Sequence, residues 1–315
     1  MNFVFLMDPL ETVMMEKDTS FILMLESYKR GHNVYFFPDG GLVLDRGRVS
    51  FHVTKVAPQQ QKETPFILHE KTILLEDDVD CVWIRTDPPF DYQYLMHTWI
   101  LDRLSKKVVM INRPSGIRAV NEKIWATQFT SIVPRTMVAQ NKNALLKFLD
   151  DEKDIVVKPT DGFGGQSVFR IKQGDVNTNV ILETITKNFS REVIAQPFIP
   201  EAQNGDKRII LLNGEPLGAV LRVHSTDDYR NNLFSGGKPE ATDITEHEKK
   251  VIDILKPELQ RMGLYFVGID ILGDYLIEVN VTSPTCLQEM NMLYNQNLEA
   301  KVIDFAEQLI KTCCA

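Results

Sequence analysis

The segment over residues 265–284 constrains this chain most. It reads Tyr-Phe-Val-Gly-Ile-Asp-Ile-Leu-Gly-Asp-Tyr-Leu-Ile-Glu-Val-Asn-Val-Thr-Ser-Pro, two β-prone apolar runs joined near Gly273 and Asp274. Side chains alternate across a strand, so Glu278 and Asn280 share one face while Ile277, Val279 and Val281 share the other. Asp270, between Ile269 and Ile271, also points away from an apolar face. A two-residue turn sets Asp270 against Ile277, whereas a three-residue loop over 273–275 sets it against Glu278. In the second register three hard oxygen donors converge, a set suited to magnesium that keeps sites for water and phosphate oxygens. An ordinary hairpin with one solvated face shows the same alternation, so a second feature has to separate the two readings.

That feature is Asp161-Gly162-Phe163-Gly164-Gly165-Gln166-Ser167, which follows the apolar run Ile155-Val156-Val157 and Lys158. Glycines let backbone amides turn inward around an anion. The loop lacks the GK[ST] ending of a P-loop, and Ser167 stands where a dinucleotide fingerprint needs its third glycine. A glycine cluster after a strand is more often a plain tight turn. Lys158 shifts that balance, because an ammonium closing a buried run is costly unless it meets an anion, and a triphosphate is the natural candidate.

At 315 residues the chain is long enough for two or three packed units. Its 43% hydrophobic and 25% charged residues are ordinary for a globular protein. The formal charge of -8 argues against general binding to nucleic-acid backbone. The apolar run over residues 3–7 ends at Asp8 and lacks the basic start and the length of a secretory signal, and no segment approaches a membrane span. Cys81, Cys286, Cys313 and Cys314 show no CxxC spacing and the six histidines no metal pattern. A reduced cytoplasmic enzyme without zinc is expected, with Cys81 a packed core thiol.

Along the chain, a strand over 2–6, a helix capped by Asp18 or Thr19 and ended at Gly31, and a strand over 34–37 read as a right-handed crossover unit. Further strands are expected over 80–85 and 108–111, with a helix over 92–104 between them. Helices follow over 122–129 and 142–149, with strands over 136–138, 155–158 and 193–198. A hairpin of 207–212 with 215–223 turns at Asn213-Gly214, and a long helix covers 245–262.

Lys158, the glycine loop, Ala195-Gln196-Pro197-Phe198-Ile199, Gly205-Asp206-Lys207-Arg208 and the acidic hairpin together resemble the ATP-grasp superfamily. Met7-Asp8-Pro9, Lys17-Asp18-Thr19-Ser20, Arg85-Thr-Asp-Pro-Pro-Phe-Asp91, Asn121-Glu122-Lys123 and Val281-Thr-Ser-Pro-Thr-Cys286 extend the likeness, end to end, to the bacterial glutathione synthetases. The resemblance implies an α/β chain with α+β elements: an ATP-grasp fold preceded by an amino-terminal α/β pre-ATP-grasp domain. Its implied divisions are 1–121, a central subdomain with the glycine loop over 122–195, and a subdomain with metal hairpin and lid over 196–315.

It further implies ATP held by Lys123, Lys158, Gly162, Phe163, Gly164 and Gly165, with adenine along Gln196, Phe198 and Ile199 and the ribose at Asp206. Mg2+ or Mn2+ would sit at Asp270, Glu278 and Asn280, and the catalytic cations Arg208 and Arg222 would face the transferring phosphate. Asp18, Ser20, Arg85, Ser283 and Thr285 would face substrate, with Arg230 and Asn232 doing so from a lid over 224–238. The implied reaction joins γ-glutamylcysteine and glycine through an acyl phosphate, giving glutathione, ADP and phosphate. The implied protein is a homo-oligomer, a tetramer, with no nucleic-acid or membrane partner. Val223-His224-Ser225, Lys238-Pro239 and Pro197 depart from the family pattern, and Pro197 removes one backbone donor. An ATP-grasp ligase with another acceptor, and a nucleotide sensor without turnover, are the competing readings; no HRD or DFG motif supports a protein kinase.

Overall fold

The computed structural model describes residues 1–162, 167–223 and 237–313. The chain opens with β1 (Asn2–Leu6), α1 (Thr19–Lys29) and β2 (Asn33–Phe37). Asp18 caps α1, its Oδ1 accepting from the Phe21 amide at 2.7 Å, and supplies a partner for an otherwise orphan donor. Gly31, at φ +82°, lets the chain turn back after the helix. Next come β3 (Leu42–Asp45), β4 (Arg48–Pro58), β5 (Phe66–Leu75), β6 (Cys81–Ile84), α2 (Tyr92–Leu101), β7 (Val109–Ile111) and α3 (Pro114–Ala119). These strands form a seven-stranded sheet in the order β3-β4-β2-β1-β6-β7, with β5 paired to β4. Strands β2, β1, β6 and β7 run parallel, so their carboxyl ends all point to one edge, where ligand sites of such sheets gather.

The central part comprises β8 (Met137–Ala139), α4 (Lys142–Glu152), β9 (Asp154–Pro159), β10 (Phe169–Lys172), α5 (Thr178–Ile185) and β11 (Val193–Pro197). Its four-stranded antiparallel sheet has the order β10-β9-β11-β8. Leu145, Phe148 and Leu149 recur at helical spacing on α4 and pack with Val157, Ile171 and Val193 into a separate core.

The last part comprises β12 (Asp206–Leu212), β13 (Glu215–Val223), β14 (Lys238–Glu240), α6 (Glu246–Met262), β15 (Phe266–Leu272), β16 (Tyr275–Asn280), α7 (Leu287–Tyr294) and α8 (Leu298–Cys313). The five-stranded sheet runs β14-β13-β12-β15-β16. Ile209, Ile269, Leu276 and Val279 on one face pack against Val251, Leu255 and Leu259 of α6. Thr245 and Glu248 close a capping box at the start of α6. Cys81 and Cys286 are buried free thiols, and Cys313 is exposed.

The helix expected over 122–129 does not form. The stretch instead makes a 3-10 turn, Trp125–Gln128, because tertiary bonds take what a helix would use: the Glu122 carbonyl accepts from the Val279 amide at 2.8 Å. A second tie joins the first sheet to the last. Asn112, 2% exposed, receives the Phe266 amide on Oδ1 and donates through Nδ2 to the carbonyls of Phe266 and Val281, all three bonds at 2.8 Å. Replacing Asn112 with alanine strands those buried groups and is expected to cost about 3 kcal/mol. Urea unfolding should show this as a lower midpoint at unchanged slope; a midpoint equal to wild type would refute it.

Candidate active site

One face of the five-stranded sheet carries a row of ions. Register pairs Asp206 with Arg222, Arg208 with Asp270, and Asp270 with Glu278. Asp206 and Arg208 lie two apart on β12 and so share a face, and the alternation that exposes them turns Ile209 into the core. Arg208 grips Asp270 in two-pronged fashion, with its Nη2 at 2.9 Å from Oδ2. Arg222 does the same to Asp206, with Nε at 2.9 Å, while its Nη2 lies 3.0 Å from Asp270 Oδ2. Burial alone would raise the Asp270 pKa, but Arg208 and Arg222 more than offset that and hold it well below the usual carboxylate range. A Cβ on Gly268 would come within 3.1 Å of Arg208 Cδ and 3.0 Å of Pro284 Cβ, so glycine is what lets the guanidinium lie across the strand.

The expected three-residue loop between β15 and β16 is absent. Leu272 pairs with Tyr275 across a two-residue turn, and a bulge absorbing Ile277 then restores the pairing of Asp270 with Glu278. The facing set survives for a different local reason. Asn280 donates through Nδ2 to the Gly268 carbonyl at 3.2 Å, which leaves its side-chain oxygen for another ligand.

The second wall comes from the central part. Lys123 Nζ donates to Glu278 Oε1 at 2.7 Å and to the Gly162 carbonyl at 2.5 Å, tying the loop to the hairpin. Lys158, next to last on β9, lines the same cavity as these residues. Burial pushes its pKa down to about 8, with Glu278 opposing and Lys123 reinforcing the shift. Phosphate beside Lys158 would favour the charged form. Nucleotide affinity should therefore be full below the free pKa and fall by about tenfold per pH unit above it, until the bound-state pKa is reached. Calorimetry of ADP binding should show proton uptake in that window and none in Lys158→Met; affinity independent of pH would remove Lys158 from the phosphate site.

Gln196 turns its amide to Thr136 Oγ1 at 2.9 Å, so its backbone rather than its tip is offered to a ligand. Phe198 is stacked by the Arg170 guanidinium 3.4 Å from its centroid, and Ile199 is 7% exposed. Phe163, Gly164, Gly165, Arg230 and Asn232 lie outside the described residues, as does the proposed lid apart from its last two positions.

The third wall belongs to the first sheet's carboxyl edge. Arg85 is 3% exposed; its Nε donates to Ser20 Oγ and its Nη2 to the Pro284 carbonyl, both at 3.0 Å. Asp18, Ser283 and Thr285 adjoin it. The three walls enclose a cavity of about 830 Å³, bordered by every described residue named above as a site candidate.

A family model described as "Prokaryotic glutathione synthetase, N-terminal domain" matches residues 1–118, and one described as "Prokaryotic glutathione synthetase, ATP-grasp domain" matches 122–295. The chain belongs to the prokaryotic glutathione synthetase family. A glutathione synthetase of Vibrio cholerae is 38% identical over 97% of this chain and 96% of its own. One from Escherichia coli is 37% identical over 96% of each. A structure described as the ATP-grasp ligase PsnB with a phosphomimetic precursor variant, Mg and ADP superposes with a TM-score of 0.63 at 15% identity, covering 98% of both chains. The last likeness shows the fold alone. The chain is thus an ATP-dependent ligase of ATP-grasp fold, preceded by the family's amino-terminal α/β domain. Among the described residues no helix is long and apolar enough to cross a membrane.

Within this glutathione synthetase frame, four acidic residues border the cavity that sequence reasoning did not assign. Asp8 accepts from the Asp87 amide at 2.8 Å, and Ser283 hydrogen-bonds the Asp87 carboxylate. Glu122 Oε1 receives the amides of Val281 and Thr282 at 2.8 and 3.1 Å and the Thr282 hydroxyl at 2.8 Å. Glu289 on α7 is 6% exposed, with a buried Oε2 that has no partner. The first three fall inside quoted motifs, whereas nothing around Glu289 in the sequence marked it.

Proposed function

We propose that the chain ligates γ-glutamylcysteine to glycine at the expense of ATP, giving glutathione, ADP and phosphate. The observation that carries this is the convergence of two buried arginines, Arg208 and Arg222, on Asp270, in the cavity that the glycine-loop wall and the Arg85 wall also line. Transfer of phosphoryl to a carboxylate gathers negative charge in one place, and fixed buried cations stabilise it more than water does.

In this reading Lys123 and Lys158 hold the phosphates, Phe198 and Ile199 flank adenine, and Asp206 receives the ribose. The cysteinyl carboxylate, aligned by Arg208 and Arg222, attacks the γ-phosphorus and ADP departs. The glycine amine then attacks the acyl carbon, losing a proton as phosphate leaves. No protein nucleophile is required; orientation and charge carry the chemistry.

The oxygen-only donors Asp270, Glu278 and Asn280 fit a divalent ion of the magnesium or manganese type better than a soft metal. Such an ion, when bound there, would neutralise charge on the nucleotide phosphates. Residues 1–121 would supply the wall around Arg85, 122–195 the glycine loop and 196–315 the ionic row. The enzyme would work in the cytoplasm as a homo-oligomer, a tetramer by family resemblance, and sedimentation showing only monomer would remove that part. Purified protein given ATP, magnesium, γ-glutamylcysteine and glycine should form glutathione and phosphate in equal amounts; no glutathione would overturn the reading.

A further inference from the structure

Cations cap both carboxylates assigned to the divalent ion. Arg208 engages the two oxygens of Asp270, its Nη2 lying 2.9 Å from Oδ2, and Arg222 Nη2 reaches the same Oδ2 at 3.0 Å. Glu278 Oε1 accepts from Lys123 Nζ at 2.7 Å. Asp270, Arg208 and Arg222 are buried, and Lys158 borders the same cavity. A divalent ion entering alone would face like charges where water and salt screen them least.

The caps differ in how firmly they are tied. Arg208 directs both Nε and Nη2 to Asp270. Arg222 also holds Asp206, through Nε at 2.9 Å, and Lys123 also holds the Gly162 carbonyl at 2.5 Å. Each of these two can let go of a metal ligand and keep a second anchor, so neither becomes a stranded buried donor. Both line the cavity. A phosphate chain entering there offers several charged oxygens at once to a forked guanidinium and to an ammonium. As phosphate draws the caps away, the carboxylate oxygens they covered become open to the ion.

We propose that Arg222 and Lys123 hold the metal ligands shut until polyphosphate draws them off, so that the chain takes the phosphates of a nucleotide first and the divalent ion second. The proposal rests on the metal assignment above and adds to it an order of binding and a ligand class, the metal-free nucleoside polyphosphate. By linkage each ligand tightens the other by the same factor. Removing a cap should therefore help the ion and harm the nucleotide.

Equilibrium dialysis of the full chain against Mn2+, alone and with ADP at equal concentration on both sides, reads the order directly. Mn2+ alone should bind on the order of 100-fold more weakly than with ADP. Calorimetry in EDTA should still show ADP binding. Lys123→Met and Arg222→Met should each tighten Mn2+ alone by on the order of 10-fold, the effect of taking one like charge from beside a charged site, while weakening ADP in EDTA. Glu278→Gln should do the reverse, tightening ADP in EDTA because it releases Lys123. A purely structural role for the caps would weaken both ligands in every variant and overturn the proposal. Wild type binding Mn2+ equally with and without ADP, or binding ADP only when metal is present, would overturn it without any variant. If Mn2+ stays unbound even with ADP, the metal assignment falls and takes the proposal with it. Glutathione formation by the same preparation judges the ligase reading separately.

Discussion

Replacing Asp270 with alanine is expected to cost about 3–5 kcal/mol of folding stability as well as nearly all turnover. Asp270 is 5% exposed and is the common partner of Arg208 and Arg222, themselves 7% and 5% exposed. Removing it leaves the buried Arg208 guanidinium without its carboxylate and next to Arg222, which keeps Asp206, and an uncompensated buried charge is far more damaging than the loss of an ion pair's net benefit. The sign of the pH dependence follows from the depressed pKa of the folded form. The stabilisation is present at every pH above the ordinary carboxylate range and fades only as pH falls towards the folded-state value. The variant should therefore lie well below wild type in urea midpoint at neutral pH, with the gap closing in strong acid. Equal midpoints at neutral pH would refute the central place given to Asp270.

Glu278, its direct cross-strand partner, should behave in the opposite way. Glu278→Ala is expected to lower turnover by at least about 10³-fold while changing stability by less than about 1 kcal/mol. Its carboxylate is 20% exposed and meets one cation, Lys123, itself partly open to the cavity. Loss of that pair leaves water or a phosphate to serve Lys123, so nothing is stranded in the interior. Near-normal turnover in this variant would remove the metal assignment at the hairpin. On these expectations the two facing carboxylates would divide into one that the fold needs and one that the chemistry needs.

What could be read in the amino-acid sequence follows the range of the interactions involved. The alternation over residues 277–281 is local, and it placed Glu278 and Asn280 on one face and Val279 in the core, as the packing of Val279 with α6 bears out; Ile277, expected on the core face, lines the cavity instead, because the bulge takes it out of the alternation and Leu276 packs in its place. The opposition of Asp270 and Glu278 was legible as a possibility, yet the bulge at Ile277 that achieves it was not, because a bulge is set by how two strands settle rather than by either one. The 122–129 segment has helical periodicity, but the bonds that unwind it come from Val279, Val281 and Thr282, far along the chain. Strands β3, β4 and β5 escaped notice since β5 is an edge strand whose Ile67, Leu68 and Ile73 are 46%, 58% and 57% exposed, which blurs any inside-outside pattern. The pairing of Arg208 with Asp270 spans 62 positions; only the sheet order brings it about.

The Glu122 clamp makes two distant grips into one handle. Lys123, next in sequence, holds the glycine loop and Glu278. Glu122 itself holds Val281 and Thr282, and the same stretch continues to Pro284, whose carbonyl anchors Arg85. In the proposed reaction, a nucleotide at Lys123 and a substrate at Arg85 would sit at opposite ends of this single short cord.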